Sequence, residues 1–89
     1  MSHKSFGTLL YELSTAAEQV GIGAQYNHYK NPEILYCVVS LVILEATDEV
    51  AVTYSPITEP GISFVRPLTS WLEEVEGIGG KQQRFCRVN

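Results

Sequence analysis

From Ser5 to Val20 the apolar residues Phe6, Leu9, Leu10, Leu13, Ala16, Ala17 and Val20 recur at i, i+3, i+4 and i+7. Glu12, Ser14, Thr15, Glu18 and Gln19 fall mostly on the opposite side, so the stretch predicts an amphipathic helix. Ser5 is an N-cap residue type, and Gly21 followed by apolar Ile22 supplies a natural C-terminal stop. Gly7 weakens the first turn.

Beyond Gly21 the period changes from that of a helix to that of strands. Gln25 to Lys30 alternates and is rich in Tyr, which suits a short strand, and Asn31-Pro32 follows as a turn. Ile34 to Leu44 is β-branched and apolar on both faces, the pattern of a central strand or of one that bends across a barrel. Val50 to Ser55 alternates and is closed by Pro56. Glu59-Pro60-Gly61 meets the demands of a type II turn, and Ile62 to Arg66 is the next strand, stopped by Pro67. Leu68 to Glu76 returns to helical spacing with Ser70 and Glu73 as a capping box, Gly77 ends it, and Gln82 to Val88 is the last strand. Strands outnumber helices and no βαβ alternation is present. The fold expected is therefore mainly β (α+β): a small antiparallel barrel or roll of about five strands, with an added N-terminal helix and a short helix before the last strand. Residues 1–22 form the extension and 23–89 the barrel domain.

Composition narrows this picture. The 89 residues carry six Lys+Arg against ten Asp+Glu, a formal charge of −4, and 45% are hydrophobic, which describes one soluble globular domain. Such a chain buries only about 60–65% of its unfolded surface, enough for one modest core and no separate cofactor domain. The acidic balance argues against a general nucleic-acid clamp, which draws on excess Lys and Arg. The longest apolar run, Ile34 to Leu44, falls short of the roughly 20 residues that cross a bilayer, and no signal-peptide h-region is present, so no membrane partner is expected. Cys37 and Cys86 lie in apolar stretches and are expected as reduced packing residues in a cytoplasmic protein.

From Tyr26 onward, Tyr26-Asn27-His28-Tyr29-Lys30, an apolar strand, Val52-Thr53-Tyr54, Phe64-Val65-Arg66-Pro67-Leu68, Trp71 to Val75 and Arg84-Phe85 follow in order. The set resembles the small bacterial family known as domain of unknown function 1653, over residues 26–88, roughly 70% of the chain. The resemblance implies an SH3-like barrel and brings no activity. Two departures stand out. The helix from Ser5 to Val20 lies outside the family pattern, and Leu44-Glu45-Ala46-Thr47 keeps only the Thr of a His-x-x-Thr found in many members.

Three groups of residues could carry chemistry. On a strand Tyr26, His28 and Lys30 share one face, where a His beside Tyr could bind a planar ligand or accept a proton; the structural alternative is that His28 hydrogen-bonds across the barrel. Arg66 follows Ile62 and Phe64 on a face that reads as buried, so it either pairs with a glutamate or faces a cleft where its N–H fork could hold an anion. From Gly77 to Asn89 there are three bases and no acids, while Glu45 to Glu76 holds seven acids and one base. That asymmetry either protects an edge strand or draws an acidic partner. Glu73, Glu74 and Glu76 have no His at ligand spacing, two isolated Cys and two separated His do not make a zinc site, and Cys37 with His28 lacks a third orienting group. Gly21-Ile22-Gly23 follows a helix instead of a strand and is no dinucleotide loop.

No catalytic or metal-binding residue and no cofactor is assigned. Tyr26, His28, Lys30, Tyr54, Arg66, Trp71, Arg84 and Phe85 are the expected ligand-binding set, lining an aromatic, locally cationic cleft. The function expected is a non-catalytic binding module for a nucleotide, a modified base, a short single-stranded nucleic acid or another small anionic or aromatic ligand. The alternative is a protein-interaction or regulatory subunit that forms a homodimer through the helix Ser5 to Val20; an enzyme with His28 and Arg66 in its site ranks third.

Overall fold

The computed structural model describes residues 3–89; Met1 and Ser2, the start of the expected 1–22 extension, lie outside them. The order is α1 (Phe6–Gln19), β1 (Gln25–His28), β2 (Asn31–Leu44), β3 (Glu49–Pro56), β4 (Phe64–Pro67), α2 (Leu68–Trp71), β5 (Glu74–Gly77), β6 (Gly80–Gln83) and β7 (Phe85–Arg87). Helix α1 forms where its periodicity predicts, and the Ser5 hydroxyl accepts the Thr8 amide at 3.1 Å as its N-cap. The left-handed residue in the exit from the helix is Gly23, not Gly21.

Five strands form one antiparallel sheet in the order β4-β3-β2-β1-β7, and β5 and β6 make a separate hairpin. The fold is thus mainly β with antiparallel sheets, one N-terminal helix and one short helix. The sheet ends at β4 and β7, which do not pair, so it is open and not closed into the expected barrel. Strand β2 explains how a run that is apolar on both faces fits one sheet. Its register with β3 slips between Val38 and Ser40, and this bulge swaps which side chains face inward. Directly paired residues share a face, so Tyr26 opposes Tyr36, Val38 opposes Tyr54, Leu41 opposes Val52, Tyr54 opposes Phe64 and His28 opposes Phe85 on one inner face.

Several local expectations give way to tertiary contacts. The Leu68 to Glu76 helix stops after Trp71, and Glu74–Gly77 is strand β5. No capping box forms, because the Ser70 hydroxyl takes a hydrogen bond from Arg66 and the Glu73 carboxylate takes one from Arg84. The last strand is split into β6 and β7 around Arg84. Asn31 and Pro32 begin β2, and the turn falls one step earlier, at Tyr29-Lys30. The Ile62 amide does bond to the Glu59 carbonyl at 3.0 Å, yet Gly61 lacks a positive φ, so the turn is not type II.

The core lies on the inner face. Val20, Ala24, Tyr26, Val38, Val52, Tyr54, Trp71 and Phe85 form one buried cluster. Trp71 and Phe85 stack at 3.8 Å with their planes 4° apart, and Tyr26 and Tyr54 meet the indole edge-on. Val20, at the end of α1, is fully buried in this cluster, so helix and sheet share one core. The start of the chain is held by Asp48 in the β2–β3 turn, whose carboxylate accepts the Lys4 amide at 2.7 Å and sits 2.7 Å from His3 Nδ1. No helix among the described residues is long and apolar enough to cross a membrane.

Candidate functional site

Helices α1 and α2 cover only part of the inner face. Toward the other end of the sheet, where β1, β2, β3 and β4 present His28, Tyr36, Tyr54, Phe64 and Arg66, the face is uncovered and forms a cleft of about 290 Å³. Four rings build it. Tyr54 packs edge-on to Tyr36 at 5.5 Å and tilted against Phe64 at 5.6 Å, and Phe85 lies edge-on to both tyrosines. The residues alternate along their strands, so the same period-2 pattern that makes the core also projects these rings into the opening.

Arg66 is the charged member. Its guanidinium carbon lies 5.5 Å from the Phe85 ring centroid, and Nη1 donates to Ser70 Oγ at 2.9 Å. Nε is buried and meets no acceptor, and among the described residues no carboxylate pairs with the side chain. A buried N–H left unpaired costs roughly 1–3 kcal/mol. Of the two environments foreseen for Arg66, a glutamate pair or an aromatic cleft, the structure holds the second.

His28 stands at the cleft wall, edge-on to Phe85 at 5.0 Å. Its Nδ1 accepts the Lys30 amide at 3.1 Å, which fixes the neutral ring with its proton on Nε2. Burial, followed by the positive charges of Arg66, Arg84 and Lys30, holds its pKa below the usual 6.5. At neutral pH the cleft therefore offers one permanent cation, one neutral imidazole and Asn31, with no acidic side chain in its lining.

The expected binding set divides. His28, Tyr54, Arg66 and Phe85 come together in the cleft. Tyr26 and Trp71 are buried beneath it as core, and Tyr54 and Phe85 belong to the same buried cluster and line the cleft only with the little surface they keep exposed. Lys30 leaves the face because the hairpin turns there, and it lies beside the Tyr29 ring in a separate groove. Arg84 is committed elsewhere: Nε donates to the Ser70 carbonyl at 3.1 Å and Nη2 to Glu73 at 2.5 Å. Tyr36, Phe64 and Asn31 line the cleft without having been singled out. Tyr36 alternates with Val38 and Phe64 with Arg66, a signal that becomes readable only with the cross-strand register.

Two other concavities carry less chemistry. The groove between α1 and α2 includes Lys4 and Glu12, which pair with each other at 3.1 Å. The groove beside the β5–β6 hairpin contains Lys30 and Glu76, opposite charges around a glycine-rich tip.

Residues 24–87 match the family model described as Protein of unknown function (DUF1653). A crystal structure of a protein belonging to that family from Bordetella bronchiseptica is similar, at 33% identity and a TM-score of 0.65, over 80% of this chain and 91% of that one. No curated protein matches the chain. The family-model match begins after α1.

Proposed function

The chain belongs to the DUF1653 family, a membership that brings no activity with it, and we propose from the cleft that it is a binding module for a small, flat, anionic group. One observation carries this reading: Arg66 keeps a buried N–H without an acceptor, and no carboxylate neutralises it, in a hollow walled by four aromatic rings. A planar ligand bearing a carboxylate or phosphate would stack on half-exposed Phe64, and its anion would pair with the Arg66 guanidinium. At about 290 Å³ the hollow sits at the small end of ligand pockets. It takes a base or an aryl acid more readily than a whole nucleotide or a length of single strand, which the −4 charge also disfavours. No nucleophile, base and oxyanion donor converge there, so the reading is binding without catalysis. The SH3-like relationship belongs to the same proposal and rests on the long bulged β2.

A thermal-shift panel of nucleobases, nucleoside monophosphates and aryl carboxylates tests it. At least one anionic aromatic should raise the midpoint, and Arg66→Gln should abolish the shift. A panel with no shift, or one in which Arg66→Gln responds as the native protein does, would contradict the reading.

A second reading rests on α1. Phe6 is 82% exposed, Leu10 67% and Tyr11 73%, so the helix buries one stripe through Ala16 and Val20 and leaves another open. That surface would serve a homodimer or a protein partner. Light scattering on the full chain and on Phe6→Ser/Leu10→Ser, with a monomer in both, would remove the homodimer.

A further inference from the structure

Strand β4 forms one wall of the cleft and one free edge of the sheet. Natural sheets blunt such edges with charge, brevity or cover, and the opposite edge follows that rule. Strand β7 is three residues long and carries exposed Arg87. Edge β4 does not. Ile62, just before the strand, and Phe64 and Val65 within it are all about half exposed, and its one charge, Arg66, points into the cleft. Phe64 and Arg66 stand two positions apart on the inner face, opposite Tyr54 and Val52. A strand added to β4 would project alternate side chains onto this same face, one beside Phe64 and the next beside Arg66.

We propose that β4 is a docking edge for an extended acidic peptide, in which an apolar side chain and a carboxylate two residues away settle against Phe64 and Arg66. The proposal rests on the cleft reading and names the source of its anion: a Glu or Asp side chain on a polypeptide strand. Main-chain pairing with β4 supplies register, and Arg66 supplies the choice of carboxylate, the division of labour seen when a peptide extends a sheet. A terminal carboxylate would lie in the plane of the edge and not over the cleft, so the side chain is the better match. Pro67 has no N–H and closes the edge, which limits the added strand to a few residues.

The test is a titration of the full chain, followed by amide signals, with acetyl-Thr-Thr-Phe-Thr-Glu-Thr-amide and with the peptide of reversed order, because the direction of the added strand is open. One order should shift the amides of Phe64, Val65 and Arg66. Glu→Gln in that peptide should weaken binding at least about tenfold. N-methylation of two successive peptide amides, one of which must face β4, should weaken it as much while leaving the protein untouched. In Arg66→Gln protein the Glu and Gln peptides should bind equally. Phenyl phosphate is the control for the cleft alone. If it binds and neither peptide does, or if N-methylation changes nothing, the docking edge is overturned and the cleft reading stands. If neither phenyl phosphate nor either peptide binds, both fall. A thymidine tetranucleotide that binds more tightly than either peptide would also overturn the proposal.

Discussion

The inner face of the sheet has a covered half and an open half made from the same kinds of residue. Where α1 and α2 lie over it, Val20, Val38, Val52 and Trp71 are buried to within a few per cent and Trp71 stacks on Phe85. Where the cover ends, Tyr36, Phe64 and Arg66 continue the same alternation and line the cleft, with only Ser70 of α2 reaching Arg66. Two arginines show the difference. Arg84, under the α2 end, spends its donors on the Ser70 carbonyl and the Glu73 carboxylate. Arg66 shares only the Ser70 hydroxyl and leaves Nε without an acceptor. Arg84 is satisfied within the protein; for Arg66 an acceptor is owed.

The comparison can be broken most forcefully through its aromatic residues. Trp71→Ala should cost about 3–5 kcal/mol in chemical denaturation, because a buried stacked ring leaves a cavity. Phe64→Ala, at a site 45% exposed, should cost roughly 1 kcal/mol or less. Equal losses would erase the distinction between core and cleft. The arginines give the next effect. Arg84→Gln should cost about 1.5–3 kcal/mol through its charge-assisted bonds, whereas Arg66→Gln should stay within about 1 kcal/mol, one hydrogen bond lost against an unpaired N–H relieved. A larger loss at Arg66 would make it a structural residue.

The smallest effects are in pH. The His28 pKa is depressed in the fold by burial and by Arg66, Arg84 and Lys30, so the unfolded chain binds its proton first. Stability from His28 is complete above about 6.5 and drains as pH falls toward the lower folded value. His3 has the opposite sign: its bond to Asp48 raises its pKa, so its stabilisation is complete below 6.5 and fades as pH rises through the folded value. Asp48 is depressed by the same bond and loses its contribution only as pH falls below its ordinary 3.8. His28→Gln should therefore flatten the acid limb of the stability curve below about pH 6.5, and His3→Gln should flatten the alkaline limb above 6.5. Denaturation midpoints across pH 5–8 for the three proteins separate them, and an unchanged acid limb in His28→Gln would place that ring in free solvent.

What could be read from the chain followed the range of the interactions. Helix α1 and its Ser5 cap were legible because both depend on neighbours three and four residues away. The two-sided apolar run of β2 fits a central strand, which it is, while the bulge between Val38 and Ser40 has no local signal. The short helix is a single turn and lacks its expected capping box because Ser70 and Glu73 bond to Arg66 and Arg84, residues 4 and 11 positions away in sequence. The same cause blurred the site. His28, Tyr54, Arg66 and Phe85 were found from alternation and unusual placement, yet alternation cannot separate a ring that lines an opening from one buried under a helix, as Trp71 and Tyr26 show. Whether the sheet closes is set by β4 and β7, strands of four and three residues whose pairing no local pattern records.

The central claim is that Arg66 in the open half waits for an acceptor from outside the chain. Its side-chain Nε–H has its own nitrogen–proton resonance, and titration with phenyl phosphate reads it directly. The account predicts that this signal moves with saturation, together with the amides of Tyr54 and Phe64, while the Arg84 Nε–H stays still. An Arg66 Nε–H that does not move at millimolar phenyl phosphate, or that moves no more than that of Arg84, would contradict it.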